Sequence, residues 1–196
     1  MKQVERISGR AIPLGLKNVD TDVILPGPYL KTITRKGLGR VAFESIRAKP
    51  GNIFEELANQ GANILIAGDN FGCGSSREHA VWAIMDMGID AVIAPSFSDI
   101  FSGNAFKNGL LTVTLPQSTV DELLEEATKG PLIVDLADQS VSTEDNRSYA
   151  FEFDAFRKHC LLNGLDEVSL TLAQEDAIAA FESRSKLERP WLPAVA

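Results

Sequence analysis

The segment Asn63-Ile-Leu-Ile-Ala-Gly-Asp-Asn-Phe-Gly-Cys-Gly-Ser-Ser-Arg-Glu-His79 runs from an apolar stretch through a glycine-rich turn into a helical pattern. Residues 63–67 are bounded by glycines, and this short apolar run predicts a buried strand. Residues 75–87 place Ala80, Ala83, Ile84 and Met87 on one helical face, and Gly88 predicts the end of that helix. A strand followed by a turn and a helix is the repeating unit of a parallel α/β sheet.

The same alternation continues on both sides of this segment. Apolar runs and turn residues predict the following elements: strands at 4–14, 91–94, 110–115, 132–136 and 149–153, and helices at 53–59, 98–107, 119–128, 154–163 and 171–185. Two of these helices are predicted to open with capping boxes, Thr119-x-x-Glu122 and Thr171-x-x-Gln174, and Asp154 is predicted to cap a third. The order of elements predicts an α/β fold with a mainly parallel central sheet.

No composition shift or linker divides the chain, so residues 1–196 are interpreted as one domain. Residues of about 31–52 are expected to form a mobile basic loop, and residues of about 187–196 a loose tail. Lys31, Arg35, Lys36 and Arg40 lie close together in that loop beside Gly37. The cluster has two interpretations: a solvated loop, or a cationic loop that captures a small anion.

Charge and cysteine content exclude several classes of function. The chain has 19 Lys+Arg against 27 Asp+Glu, with +6 over residues 1–49 and −14 over the remainder. An acidic protein lacks the basic face that nucleic acid requires, and no apolar run is long enough to span a membrane. Two cysteines exclude a disulfide framework and cannot supply an iron–sulfur cubane. With no signal peptide predicted, the chain is expected to be cytoplasmic with reduced thiols.

The turn that follows residues 63–67 carries the most informative chemistry. Gly72 and Gly74 permit a tight turn, and Ser75-x-x-Glu78 fits a capping box that would explain both of its members. The cap does not explain Arg77, because a cation in the first helical turn opposes the helix dipole. A bound carboxylate would reverse that penalty, and a guanidinium can hold it bidentately. Two serines, free N–H groups and one arginine therefore predict a carboxylate site.

Other interpretations of the turn fail on particular residues. Arg77 stands where a dinucleotide fingerprint needs glycine, and no Gly-Lys-Ser/Thr of a phosphate-binding loop is present. Arg77 also stands two residues after Ser75, so the Gly-x-Ser-x-Gly elbow of a hydrolase is missing. His79 lies on the same predicted helix as Ser75 and is poorly placed to act as its base.

The turn and the start of its helix also resemble a known family. Asp-Asn-Phe-Gly-Cys-Gly-Ser-Ser-Arg-Glu-His-Ala over residues 69–80 resembles the motif of the aconitase-superfamily swivelling domain, and more closely that of the bacterial 3-isopropylmalate dehydratase small subunits. Three further stretches agree with that family: Asn-Val-Asp-Thr-Asp-Val-Ile at 18–24, Ala-Pro-Ser-Phe-Ser-Asp-Ile-Phe at 94–101, and Phe-Arg-Lys-His-Cys-Leu-Leu-Asn-Gly-Leu-Asp at 156–166. The resemblance thus covers nearly the whole chain.

The resemblance implies a fold and an activity. The fold would be the three-layer β/β/α swivelling domain. The protein would be a hydro-lyase subunit that interconverts 2-isopropylmalate and 3-isopropylmalate by dehydration and rehydration in leucine biosynthesis. A separate large subunit would complete a heterodimer and carry a [4Fe-4S] cluster, whose open iron acts on the leaving hydroxyl. This chain itself would bind no metal or cofactor.

Residue roles also follow from the resemblance. Ser75 would be the catalytic base, acting as an alkoxide, while Ser76 and Arg77 would bind the substrate, with Arg77 holding a carboxylate. Gly74 would support the turn. Asp22 would orient groups in the site, although an Asx turn with Asp20 explains it about as well.

The loop residues have less definite roles. Thr32, with Lys31 or Arg35, would contact the substrate on a loop near its variable substituent, and the sequence does not decide which cation takes the second carboxylate. Lys31 also places a charge where an apolar residue would suit an isopropyl group. Methylmalate, dimethylmalate and homologous tricarboxylates therefore stay open as substrates.

Two other classes of function stay open as well. The chain could be a stand-alone module that binds dicarboxylates, or a chaperone-like subunit without chemistry.

Overall fold

The computed structural model describes residues 1–58, 61–189 and 191. The chain forms two compact units, Met1–Gly164 and Leu165–Ala196. The single-domain interpretation stays a prediction, and each unit is described by itself below.

The first unit is built on two four-stranded sheets. The strands are β1 (Arg6–Gly9), β2 (Ala11–Pro13), β3 (Ile64–Ile66), β4 (Ala91–Ala94), β5 (Leu111–Thr114), β6 (Leu132–Asp135), β7 (Ser140–Thr143) and β8 (Ser148–Ala150). One sheet is parallel with the order β2-β3-β4-β5, and the other is antiparallel with the order β1-β6-β7-β8. The predicted parallel sheet at 63–67, 91–94 and 110–115 is confirmed.

The helices are numbered along the whole chain. They are α1 (Thr21–Ile24), α2 (Glu44–Arg47), α3 (Ile53–Ala58), α4 (Glu78–Asp86), α5 (Asp99–Asn108), α6 (Gln117–Glu126), α7 (Ala155–Asn163), α8 (Glu167–Leu172) and α9 (Glu175–Glu188). Two 3-10 helices, Gly27–Lys31 and Leu38–Arg40, lie between α1 and α2.

Alternation along β3 and β4 produces a three-layer arrangement. Leu65 and Val92 point into one apolar cluster with residues of α1, α4 and α5, whereas Ile64 and Ile93 point into a second cluster with the antiparallel sheet. Both faces of the parallel sheet are therefore covered, which explains why its strands are continuous apolar runs. The predicted β/β/α layering is confirmed.

The prediction of one strand over 4–14 is wrong. Residues Arg6–Gly9 pair antiparallel with β6, and Ala11–Pro13 pair parallel with β3, so the chain changes sheets at Arg10. The apolar run predicts extended backbone but cannot indicate which partner each half finds.

Side-chain caps explain which helix ends were predicted correctly. Asp154 accepts from the N–H of Arg157, as predicted, and Ser98, where a helix was predicted to begin, accepts from the N–H of Phe101. The boxes at Thr119 and Thr171 are wrong: α6 already begins at Gln117 after Pro116, and Thr171 lies inside α8, whose cap is Asp166. In each case an earlier residue starts the helix, so the predicted cap falls within it.

The predicted basic loop at 31–52 is partly folded. It contains the 3-10 helix Leu38–Arg40 and α2, and Leu38, Ala42 and Phe43 are buried. Residues 32–37 lack regular structure and are mostly exposed. The mobility of the segment stays a prediction.

The second unit contains α8 and α9. Asp166 caps α8 by accepting from the N–H of Ser169 at 2.8 Å. Of the predicted loose tail, Leu187–Arg189 and Trp191 are described, and residue 190 and residues 192–196 lie outside the described residues, as does position 59 of the predicted helix at 53–59. Within the part of the chain that the structure describes, none of the helices is long and apolar enough to cross a membrane.

Candidate active site

The turn after β3 is attached to the segments that follow two neighbouring strands. The N–H of Phe71 donates to the carbonyl of Ser96, beyond β4, at 3.0 Å. Toward the segment that follows β2, the N–H of Gly72 donates to the carbonyl of Val19 at 2.8 Å. In the same segment, the N–H of Thr21 donates to the carbonyl of Cys73 at 3.0 Å. The turn therefore lies at the carboxyl edge of the parallel sheet, where open α/β sheets place their ligand sites.

Gly72 is required by the backbone of this turn. Its φ is +72°, and a Cβ there would lie 2.3 Å from Cγ of Phe101. Gly74 has a φ of +93°, which also favours glycine. The hydroxyl of Thr21 donates to the carbonyl of Ser75 at 3.2 Å and fixes the chain immediately beyond Gly74. These contacts set the direction in which the following residues point.

The predicted capping box at Ser75 is wrong. Helix α4 begins at Glu78, and its N-cap is Arg77, with extended backbone (φ −125°, ψ 100°) and no side-chain cap bond. Arg77 therefore precedes the helix instead of occupying its first turn. The contacts of Val19 and Thr21 hold residues 72–75 in a non-helical path, and these bonds from a distant part of the sequence delay the start of the helix.

Ser75 and Ser76 are presented to solvent at the end of this path. Both residues are exposed. Across residues 1–58, 61–189 and 191, neither hydroxyl has a hydrogen-bond partner, and the backbone N–H groups of Ser75 and Ser76 have no acceptor. Exposed, unpaired donors in a turn are groups to which an anion can bind.

Arg77, which follows the two serines, pairs with Asp22 of α1. Arg77 Nη1 donates to Asp22 Oδ1, and the two side chains are 24% and 55% exposed. A guanidinium has five N–H donors, so one carboxylate oxygen leaves most of them available. Among the described residues, Arg77 has no other side-chain partner.

The two aspartates before and within α1 have different contacts. Asp20 is the N-cap: its Oδ1 accepts from the N–H of Val23 at 2.7 Å. Asp22 follows in the first turn of α1 and pairs with Arg77. The structure thus places Asp22 beside the predicted carboxylate site, and it assigns the capping role to Asp20.

The loop cations lie near the amino-terminal part of α4. Lys31 is exposed at the end of the 3-10 helix Gly27–Lys31. The carbonyl of Thr32 lies 3.0 Å from His79 Nε2, and the guanidinium carbon of Arg35 lies 5.0 Å from the centre of the Trp82 ring. The structure therefore brings Thr32 and Arg35 to the helix that follows Arg77, whereas Lys31 has no partner among the described residues.

The sequence interpretation did not include three contributors to this region: Thr21, His79 and Trp82. Thr21 is buried within a turn-forming stretch, and nothing in that pattern predicts that it contacts Ser75. The spacing of His79 and Trp82 could have revealed that pair, because residues three apart share a helical face. His79 Nε2 contacts Thr32, which agrees with the exclusion of a serine hydrolase.

Metal-binding side chains do not converge here. Over the described ranges, no group of three or more His, Cys, Asp or Glu side chains could hold a metal ion. Cys160 is buried in α7, and Cys73 is half-buried in the turn. The donor set of the site, two hydroxyls and a guanidinium beside one carboxylate, fits a carboxylate ligand better than a cation.

Family models match both ends of the chain. Residues 1–118 match the aconitase C-terminal domain, and residues 167–195 match the C-terminal domain of the 3-isopropylmalate dehydratase small subunit. The first match contains the whole parallel sheet and every predicted site residue.

Individual relatives agree over nearly full length. The chain is 63% identical to the 3-isopropylmalate dehydratase small subunit of Novosphingobium aromaticivorans over 98% of this chain and 95% of that protein. It is 59% identical to the one from Zymomonas mobilis over 98% of this chain and 100% of that protein. The crystal structure of a 3-isopropylmalate dehydratase (leuD) from Methanocaldococcus jannaschii superposes with a TM-score of 0.69 at 32% identity, covering 90% of this chain and 99% of that one.

Proposed function

The chain belongs to the 3-isopropylmalate dehydratase small-subunit family, and on that premise we propose that it forms half of the active site of this hydro-lyase. The substrate pair is 2-isopropylmalate and 3-isopropylmalate, interconverted through an unsaturated intermediate in leucine biosynthesis. The observation that carries the proposal is the exposed Ser75 and Ser76, with open hydroxyl and N–H groups, beside an arginine bound by a single carboxylate oxygen.

Ser75 removes and returns the proton next to a substrate carboxylate. A serine hydroxyl is a weak base, so the anionic form needs strong electrostatic stabilisation. Open N–H groups in the turn and the neighbouring guanidinium of Arg77 supply donors of the kind found in oxyanion holes. The role of Ser75 does not require a histidine partner, which agrees with the contact of His79 to Thr32.

Arg77 and Ser76 hold the substrate carboxylate next to the reacting carbon. Asp22 pairs with Arg77 and keeps the guanidinium of Arg77 in a fixed orientation beside the serines. The substrate carboxylate binds the guanidinium N–H groups that Asp22 leaves available, bidentately where the fork is open. Gly74 supports this arrangement by allowing the backbone to bend beside Thr21.

The second carboxylate is taken by a cation of the loop, Lys31 or Arg35, with Thr32 beside it. Lys31 is exposed and unpartnered among the described residues, whereas Arg35 stacks on Trp82. Either side chain can neutralise a carboxylate, and charge variants of the two distinguish them.

The partner is a large subunit that carries a [4Fe-4S] cluster. When bound, the cluster supplies an iron that acts as a Lewis acid on the leaving hydroxyl. Cys73 and Cys160 are far apart in sequence and too few for a cubane, so this chain is proposed to contribute only organic groups. The complex is proposed to work in the cytoplasm, where iron–sulfur proteins with reduced thiols are maintained.

Reconstitution tests this function. The chain is mixed with a cluster-loaded large subunit and 3-isopropylmalate, and absorbance of the unsaturated intermediate is followed. We expect turnover only when both chains are present. Turnover with methylmalate or dimethylmalate but not 3-isopropylmalate would contradict the substrate assignment. Tight dicarboxylate binding by this chain alone, unchanged by the partner and without turnover, would indicate a binding module instead.

A further inference from the structure

Among the described residues, the first part of the basic loop, residues 31–37, is attached to α4 by a contact of Thr32 and a contact of Arg35. His79 Nε2 lies 3.0 Å from the carbonyl oxygen of Thr32, and Arg35 stacks over Trp82 at 5.0 Å. The rings of His79 and Trp82 also contact each other, with centroids 4.5 Å apart and an interplanar angle of 47°. Because a carbonyl can only accept, His79 Nε2 is the donor in the first contact.

Trp82 is itself fixed by a polar network. Its Nε1 donates to Asn108 Oδ1 at 3.0 Å and to Glu78 Oε1 at 3.3 Å, and Asn108 Nδ2 donates to the same Glu78 oxygen at 2.7 Å. Asn108 is 8% exposed at the end of α5. The ring that supports His79 and Arg35 is therefore held by both α4 and α5.

Few other contacts hold this loop before residue 38. Ile33 is 94% exposed, and the hydroxyls of Thr32 and Thr34 bond each other at 3.0 Å. Beyond the loop, Leu38 is buried and the N–H of Gly39 donates to Asp86 Oδ2 at 2.8 Å. Residues 33–37 thus span between an attachment at Thr32 and another at 38–39.

The helix that receives the loop is also the helix that follows Arg77. Only Glu78 separates Arg77 from His79. A contact from His79 to Thr32 therefore sets how far the cations of the loop lie from the guanidinium of Arg77. A ligand with two carboxylates needs these two positive groups at a defined separation.

We propose that His79 is a positioning residue: it holds Thr32 against α4, with Trp82 as its support, so that the loop cation meets the second carboxylate. The proposal rests on the function proposed above. His79 acts through the backbone of Thr32 and not on the reacting atoms. Losing the bond widens the range of loop positions and weakens substrate binding without removing Ser75 or Arg77.

Limited trypsinolysis of the free full-length chain tests the attachment without requiring activity. Trypsin sites at Lys31, Arg35 and Lys36 lie in the exposed loop, and exposed Lys17 is an internal reference outside it. We expect His79→Ala to raise the cleavage rate at the loop sites relative to Lys17 by about fivefold, the equilibrium equivalent of one hydrogen bond. His79→Gln, whose amide can donate to the same carbonyl, should stay near the unsubstituted chain.

Steady-state kinetics of the reconstituted complex test the role in catalysis. His79→Ala should raise KM for 3-isopropylmalate by about fivefold with a smaller change in kcat, and His79→Gln should restore most of the KM. His159→Ala, at the other histidine of the chain, is the matched control and should change neither the cleavage rates nor KM.

The two readouts separate the possible failures. Unchanged loop cleavage in His79→Ala would overturn the attachment, and faster cleavage with unchanged KM would overturn the positioning role. A fall in kcat alone, not rescued by glutamine, would also overturn it. If the unsubstituted complex has no dehydratase activity, the proposed function fails, and the cleavage experiment still decides whether His79 holds the loop.

Discussion

Two arginines of the first unit, Arg77 and Arg147, bind carboxylates in different ways. Arg147 bonds Glu126 at 2.6 Å and Asp145 at 2.9 Å, and Lys129 adds a second cation on Glu126 at 2.6 Å. The bonds to Glu126 and Asp145 raise the pKa of Arg147. The bonds from Lys129 and then Arg147 lower the pKa of Glu126, and the hydrogen bond from Thr143, followed by the bond from Arg147, lowers the pKa of Asp145. Among the described residues, Asp22 is the only side-chain partner of Arg77, and Arg77 lies beside two serines with open donors.

The difference separates a structural arginine from one available for a ligand. Around Arg147, two carboxylates balance the cation, and the Glu126 side chain is only 10% exposed. Around Arg77, donors outnumber acceptors, and a carboxylate from outside the chain would restore the balance. Substitutions in the two regions should therefore affect different measurements: activity around Arg77 and stability around Arg147.

The largest effect is expected from Ser75→Ala. Removing the base should lower kcat of the reconstituted enzyme by about 10³-fold, since general-base groups contribute roughly 10²–10⁴-fold. The alanine should not disturb folding, because the side chain of Ser75 has no partner among the described residues. The absorbance assay measures kcat, and gel filtration measures assembly. Ser118→Ala, at an exposed position of α6, is the control, and retained turnover in Ser75→Ala would refute the base assignment.

Arg77→Ala is expected to follow in size. Loss of a bidentate, charge-assisted contact to the substrate should lower kcat/KM by about 10²-fold, and Arg77→Lys should recover only part, because an ammonium lacks the planar fork. The melting temperature should change little. Equal activity of the Arg77→Ala complex and the unsubstituted complex would indicate a subunit without chemistry and would remove the distinction from Arg147.

Gly72→Ala tests whether the backbone of the turn is rigid, although the hydroxyls of Ser75 and Ser76 have no partners among the described residues. A Cβ at this positive φ would lie 2.3 Å from Phe101 Cγ, so we expect a loss of about 2–4 kcal/mol in unfolding free energy. Urea denaturation measures the change. Gly37→Ala is the matched control, because its φ is +90° but no atom lies within 4 Å of the added Cβ, and it should cost about 1 kcal/mol. Equal losses would mean that the contact with Phe101 relaxes freely.

Arg147→Met should lower the stability and leave the activity unchanged, which is the reverse of the result expected for Arg77→Ala. Removing the guanidinium leaves Glu126 and Asp145 without their shared partner, so the melting temperature should fall by about 3 °C, while kcat/KM stays unchanged. Thermal unfolding and the absorbance assay on the same preparation measure both quantities. A loss of activity with unchanged melting temperature would show that the two regions had been assigned the wrong way round.

The smallest effect is expected in the pH dependence of the difference in melting temperature between the unsubstituted chain and Arg147→Met. In the folded state the pKa of Glu126 is lowered first by its bond to Lys129 and second by its bond to Arg147. The pKa of Asp145 is lowered first by its bond to Thr143 and to a smaller extent by Arg147. Their stabilisation is therefore complete above the unfolded values and is lost as pH falls through the folded ones. The gap in melting temperature between the unsubstituted chain and Arg147→Met should be constant from pH 7 to about pH 5 and shrink below about pH 4. A gap that widens in acid would contradict the ion-pair explanation.

Local patterns predicted the elements whose ends depend on their own residues. The cap predicted at Asp154 and the helix start predicted at Ser98 are correct because both side chains bond N–H groups three residues away. The box at Ser75 failed because the backbone from Gly72 to Ser75 is held by Val19 and Thr21, more than fifty residues earlier. Long-range bonds of this kind leave no periodic signal in a sequence.

In the candidate site, too, the local motif indicated some residues, whereas their contacts depend on distant segments. The motif at 69–80 indicated Ser75, Ser76 and Arg77, because a serine pair beside a guanidinium is an unusual combination with a definite chemistry. The partners of these residues came from elsewhere: Asp22 meets Arg77, and Thr32 meets His79. The contact between Thr32 and His79 involves a backbone carbonyl, for which the side-chain sequence gives no sign.

The sequence by itself determined the alternation of strands and helices, the parallel sheet and the residue types of a carboxylate site, since these depend on hydrophobic periodicity and on the chemistry of neighbouring side chains. The tertiary structure alone decided that residues 4–14 divide between two sheets, that Arg77 stands outside its helix, and that Asp22 pairs with Arg77 while Thr32 contacts His79. Those outcomes depend on hydrogen bonds between segments 47 or more residues apart in sequence, whose pairing is settled only when the chain is packed.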